Sequence, residues 1–267
     1  TATTNRPGAR FGPRAIRAAS THMAWERPYG MKFDPFDRLA VVDYGDCLFD
    51  FGKPESIPGD IQSHIETIIN QGPSTLSFGG DHFVTYPILC AYAEKYQTPI
   101  SLIHFDAHSD TWRDDEEERI DHGTMFYKAM KQGIIDPKQS VQIGLRTENP
   151  DTFDFNILDG DWVHKNGIDA VIEKTLSIVG NRPVYMTFDI DCLDPSYAPG
   201  TGTPVCGGLT THQAMGIIRG FMGINLIGMD VVEVAPAYDI SEITALAASH
   251  IAMEMISVFA SKPEFES

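Results

Sequence analysis

Short apolar runs rich in β-branched residues alternate with longer amphipathic stretches along most of the chain. LAVVDYG (39–45), TLSF (75–78), ISLIHF (100–105), SVQIGL (140–145), PVYMTF (183–188) and INLIGM (224–229) read as strands. Helical spacing of apolar positions is clearest over 59–71, 84–96, 124–132, 168–179, 211–221 and 241–260. The last has a start signal: Asp239 and Ser241 are capping residues, and Thr244 and Leu246 open its apolar face. Nearly unbroken apolar strands between helices predict a mainly parallel sheet buried on both faces. Without a repeat, a low-complexity segment or a linker, the expected architecture is one α/β/α domain over residues 1–267.

Bulk properties narrow the function. A chain of 267 residues can bury one large core or at most two small ones. No run reaches the length expected of a membrane span. TATTNRPGAR contains neither an initial Met nor an apolar signal core, so the expectation is a trimmed start and a cytoplasmic protein. Cys47, Cys90, Cys192 and Cys206 are scattered and form no CxxC pair, which suits free buried thiols in a reducing compartment. A net charge of −17 argues against nucleic acid and tolerates a small cationic ligand.

Ligands of open parallel sheets bind beyond the carboxyl ends of the strands. There, TLSF runs into GGDH, ISLIHF into DAHSD, PVYMTF into DID, and INLIGM into DVVE. GGDH supplies His82 after two glycines that permit a tight turn; alone, His82 would pass for a capping or core histidine. Asp106, His108 and Asp110 alternate. Alternate residues of a strand are ~6.6 Å apart, which would leave Asp106 and Asp110 ~13 Å apart. Either the chain curls after Phe105, or more than one ion is held, or both. Asp189 and Asp191 add two close carboxylates, which are costly after a buried strand unless a cation neutralises them; Asp194, before Pro195, suits a surface turn. Six candidate ligands (His82, Asp106, His108, Asp110, Asp189 and Asp191) exceed one mononuclear site with an open position. Two ions sharing bridging carboxylates accommodate them. Oxygen-rich ligands with one imidazole per ion and no thiolate favour Mn²⁺, with Zn²⁺, Fe²⁺ and Co²⁺ also compatible. His104 lies inside the strand, before any curl, and reads as a neighbour of the site.

GGDH, DAHSD and DIDCLDP, in this order, resemble the ureohydrolase (arginase/agmatinase) superfamily, its bacterial agmatinase branch most closely. RPGARFGPRAIR, IDHGTMF, PGTGTPVCGGLT and MDVVEVAPAYD extend the likeness over essentially the whole chain. The resemblance implies an arginase-like fold, two Mn²⁺ per subunit, a homotrimer or homohexamer, and hydrolysis of a guanidino group to urea and an amine. It places one ion on His82, Asp106, Asp110 and Asp189, and the other on His108, Asp106, Asp189 and Asp191. It makes Glu233 the carboxylate that binds the guanidinium and His122 the proton-transfer residue. Without it, His122 would pass for a turn histidine before Gly123. Asp230 would sit behind the site. Relatives usually carry a further strand and loop ahead of RPGARFGP, so an edge strand is expected to be missing from this sequence.

The chemistry suits these roles. A guanidinium stays cationic, with a pKa of roughly 12.5 or more, and its carbon is a poor electrophile. Two metals can hold hydroxide against it, a carboxylate can clamp its plane, and a histidine can protonate the leaving amine. Residues 114–118, DDEEE, would attract a distal amine and repel a carboxylate if they border the mouth, although a solvated acidic loop explains them equally well. Together with the motif match, this favours agmatine, giving putrescine and urea. The alternatives are another amidinohydrolase, such as a guanidinobutyrase, or a non-catalytic polyamine-binding relative; the latter is disfavoured because all eight site residues are present.

Overall fold

Side chains point alternately to the two faces of a strand, and here both faces are apolar. In the computed structural model, which describes residues 3–25, 27–116 and 118–265, one sheet is formed by β1 (Leu76–Phe78), β2 (Ser101–Phe105), β3 (Val141–Ile143), β4 (Asn156–Leu158), β5 (Val184–Asp189) and β6 (Leu226–Val232). The order is β1-β6-β5-β2-β3-β4 and every pairing is parallel. Among the described residues the α-helices are α1 (Gly12–Ser20), α2 (Pro35–Arg38), α3 (Ile57–Ile69), α4 (Thr85–Tyr96), α5 (Met125–Lys131), α6 (Gly160–Val179), α7 (Thr211–Arg219) and α8 (Ile243–Ala260). Ile103, Phe105, Val184, Met186 and Phe188 face one core with α1, α6, α7 and α8. Leu102, Tyr185 and Ile227 face a second core with α3, α4 and α5. The result is the expected three-layer α/β/α arrangement. Its inner strands β2, β5 and β6 are buried throughout, and the edges β1 and β4 are only partly buried.

Several expectations need correction. Residues 39–45 form no strand. A strand needs a neighbour for its ladder, and this run finds none among the described residues; Val42 and Tyr44 are exposed. β4 was not anticipated, because its three residues carry too little pattern. α1 was missed too: its apolar face rests on few large residues, of which Ile16 is the buried one. α6 begins at Gly160, capped by Asp159, and continues through a kink at Gly167. Ser241 does not cap α8; Asp239 does so from further back, accepting from the N–H groups of Thr244 and Ala245. By length and composition alone α8 could cross a membrane, contrary to the sequence reading, but 72% of it is buried inside the domain. It also buries Glu254 against Arg219. Of the four free cysteines only Cys192 is buried; Cys206 is exposed.

Candidate metal centre

The carboxyl ends of β2, β5 and β6 and the turn after β1 deliver the predicted ligands to one place. Gly79 is required there: a Cβ would lie 2.7 Å from both Val232 Cγ1 and Val84 Cγ2. Beyond it, His82 opens a short turn with its ring fully buried. After Phe105 the extended backbone ends and Asp110 takes a left-handed φ of 52°. That curl removes the ~13 Å separation of a straight strand. Asp106 Oδ2 and Asp110 Oδ2 each come within 3.0 Å of His82 Nδ1, and Asp189 Oδ2 within 3.3 Å. On the other side of Asp106, its Oδ1 is 3.3 Å from His108 Nδ1, which is 3.2 Å from Asp191 Oδ2. Two groups of converging ligand atoms result: His82, His104, Asp106 and Asp110, and Asp106, His108 and Asp191. Asp106 belongs to both, and Asp189 lies beside the first.

His104 thus reaches the first group by distance alone. Its hydrogen bonds give it another role. The Gln142 amide donates to His104 Nδ1 at 3.0 Å and to Ser109 O at 2.7 Å. The His104 proton is therefore on Nε2, which donates to Asp106 Oδ2 at 2.7 Å. A nitrogen that donates cannot at the same time bind a cation.

The cluster is electrostatically incomplete without cations. Asp106, Asp110, Asp189, Asp191 and Glu233 are all buried, and their recorded ion pairs are to imidazoles. Burial opposes ionisation of Asp106, but His104, His108 and His82 hold its carboxyl well below the usual range. Burial and the charges of Asp191 and Asp106 push Asp189 well up, and burial with Asp106 also raises Asp191. Burial disfavours a charged His108, but Asp106 and Asp191 outweigh it and lift the ring to about 12. Such an excess of buried carboxylates is the environment that divalent cations stabilise. His82 Nδ1 makes no hydrogen bond despite its three carboxylate neighbours. Burial opposes a charged His82 ring, but Asp106, Asp110 and Asp189 raise it well above the usual range, so a cation at Nδ1 would take the place of a proton there.

Glu233, at a left-handed φ of 63°, turns into the same space. Its Oε1 accepts from His82 N at 3.0 Å and His122 Nδ1 at 2.7 Å, whereas Oε2 is buried without a partner. The open acceptor is therefore one oxygen, rather than the paired clamp expected from sequence. A Cβ at Gly202 would lie 3.3 Å from Oε2, so glycine keeps that approach clear. Burial works against a charged His122, but Glu233, Asp110 and Asp81 raise the ring to about 9. Thr4 meets Nε2 with its backbone N–H at 3.1 Å and its hydroxyl at 2.9 Å. The N–H favours a bare Nε2, in tension with that rise; the hydroxyl can serve either state.

Sequence reading missed Thr4, 118 residues from His122, and Thr203, whose hydroxyl donates to Asp191 Oδ2 at 3.0 Å. It also missed Arg146, whose guanidinium binds the carbonyls of Asp191, Cys192 and Leu193 and so braces the turn carrying Asp191. Thr203 falls within the quoted PGTGTPVCGGLT, which was the available signal; Arg146 had none. Glu117 of the acidic loop lies outside the described residues. Glu116 pairs with Arg119 and Asp115 with Lys131, both acidic side chains being exposed as a solvated loop requires, whereas Asp114 meets Arg119 with its side chain buried.

A parallel-sheet domain with two carboxylate–imidazole ligand groups at its strand ends has the makings of a binuclear metal centre. The arginase family model matches residues 1–257, and the chain belongs to the arginase family. It is 60% identical over 259 residues to an agmatinase of Chromobacterium violaceum, covering 97% of this chain and 80% of that protein. A solved structure described as a hypothetical agmatinase from Burkholderia thailandensis superposes with a TM-score of 0.95 at 59% identity, covering 97% of this chain and 82% of that one. The proclavaminate amidino hydrolase of Streptomyces clavuligerus superposes at 0.90 with 35% identity, covering 97% and 88%.

Proposed function

We propose that this chain hydrolyses the guanidino group of agmatine to putrescine and urea, with a pair of Mn²⁺ ions in the cluster centred on Asp106. The chain acts as an agmatinase of the arginase family, as its 60% identity to such an enzyme supports. The observation that carries the residue-level reading is the buried, unpartnered Glu233 Oε2 beside a ligand cluster short of positive charge.

His82, Asp106, Asp110 and Asp189 would hold one ion, and His108, Asp106, Asp189 and Asp191 the other. When bound, divalent cations supply Lewis acidity and make water nucleophilic near neutral pH, which an unreactive guanidinium carbon needs. Glu233 Oε2 accepts an N–H of the planar cation through a charge-assisted bond. Its other oxygen stays on His82 N and His122, which fixes the direction of approach. His122 supplies the proton that the departing amine requires, and the Thr4 hydroxyl can bond Nε2 in either protonation state. Asp106 is counted as catalytic because it joins the two ligand groups. The single domain, a trimeric or hexameric assembly, a cytoplasmic setting and a place in putrescine synthesis complete the proposal.

Urea release from agmatine, guanidinobutyrate and arginine at equal concentration tests it. Agmatine is expected to be the best substrate by at least about tenfold, a difference of roughly 1.4 kcal/mol in the barrier. Faster release from guanidinobutyrate would reassign the substrate, and no release from any with metal added would remove the activity.

A further inference from the structure

One step behind the ligands, the register aligns Ser77, Asp230, Thr187, His104 and Gln142 in a polar row across five strands. His104 and Gln142 serve Asp106, as described. The centre of the row serves His82. We propose that Thr187, held by Asp230, is a positioning residue that keeps His82 Nδ1 bare and so sets the affinity of the deeper ion. This rests on the metal-centre reading above.

Asp230 is fully buried and no ion pair is recorded for it among the described residues. It is ringed by hydroxyls: Thr187 at 2.6 Å on Oδ1, and Thr85 and Tyr185 each at 2.8 Å on Oδ2. A carboxylate only accepts, so each hydroxyl directs its one proton to it. Thr187 has then no proton left for His82 Nε2, 2.8 Å away. Its oxygen can only accept, so Nε2 carries the hydrogen. In the neutral ring the Nδ1 lone pair is then left facing Asp106, Asp110 and Asp189, where a cation would take the place of the second proton that those carboxylates favour. The other tautomer would aim an N–H into the space a cation needs. Thr187 and Asp230 are paired on adjacent buried strands, so neither can turn away. A carboxylate behind a metal-binding histidine is a recurring device for fixing its tautomer; here a threonine is inserted between them.

The test uses chelated, desalted protein titrated with Mn²⁺, free ion being followed by electron paramagnetic resonance. Thr187→Val keeps the shape and removes the acceptor. One of two ions is expected to bind about 10–100-fold more weakly, with the other changed by less than about threefold. Thr187→Ser should restore the weakened ion to within about threefold of the parent. Tyr185→Phe removes a hydroxyl from Asp230 without touching Thr187, and should leave both affinities in place. If Thr187→Val does not fold, Thr187→Ala carries the same expectation. A folded Thr187→Val or Thr187→Ala variant with both ions at parental affinity overturns the inference, as does an equal loss in Tyr185→Phe. Fewer than two ions on the unaltered protein would instead overturn the metal-centre reading.

Discussion

His82 and His108 present the same group to the same carboxylate, Asp106, from opposite surroundings. The His82 ring is fully buried, bonded behind to Thr187 and packed edge-on against Phe126. The His108 side chain is 26% exposed, on the curl after β2, and its recorded ion pairs are to Asp106 and Asp191. One half of the centre is therefore braced by the sheet, and the other stands at its mouth. Identical ligand chemistry does not make equivalent sites, because the second atom of each ring decides how firmly the first is aimed.

The largest effect is expected where the two halves meet. Asp106→Asn, and by the proposed bridging role Asp189→Asn, should lower urea release by at least about 10³-fold, since each withdraws charge from both ions. An Asp106→Asn enzyme within tenfold of the parent would break the symmetry of the two ligand groups around that residue.

Chelation sharpens the comparison itself. Timed treatment with a chelator, read as residual metal by elemental analysis, should show a fast and a slow phase. His108→Ala should abolish the fast phase and keep the slow one, because the exposed half exchanges with solvent more readily. Loss of the slow phase instead would reverse the assignment of deep and shallow positions.

A smaller effect is expected one residue layer away. His104→Asn should keep both ions while activity falls by about tenfold, as for other groups that orient a ligand. Loss of an ion in metal analysis would make His104 a ligand and end its reading as the hydrogen-bond donor to Asp106.

The smallest effect concerns stability. In chelated protein His122 is raised from 6.5 to about 9, with burial opposing and Glu233 driving the shift. The folded state then keeps a proton that the unfolded chain releases, so this stabilisation is complete below about pH 6.5 and lost as pH rises through about 9. Denaturant midpoints should show that His122→Asn makes the decline over this window shallower by up to one proton, or about 1.4 kcal/mol per pH unit. An unchanged slope would mean that the His122–Glu233 pair does not hold that proton.

The ligand motifs were legible because each follows an apolar run directly, so a strand end and a row of polar side chains were visible together. Distance along an extended backbone left a curl after Phe105 as one of two ways to bring Asp106 and Asp110 into use. The supporting residues were not legible. Thr187 meets His82 across 105 residues of sequence and Thr4 meets His122 across 118. A lone threonine in either segment carries no mark of its partner. LAVVDYG failed for the converse reason. Its composition suits a strand, but composition cannot supply the neighbour that a ladder requires.

By itself, then, the amino-acid sequence determined the α/β layering and the placement of carboxylates and imidazoles beyond apolar strands, since periodicity and chemistry are properties of the local chain. Asp106's place in both ligand groups was implied by the resemblance; only the tertiary structure decided that Glu233 keeps a single oxygen open and that His82 is backed by Thr187 and Asp230. Those outcomes depend on parallel register and on left-handed turns at Asp110 and Glu233, which set side chains distant in sequence within hydrogen-bonding distance.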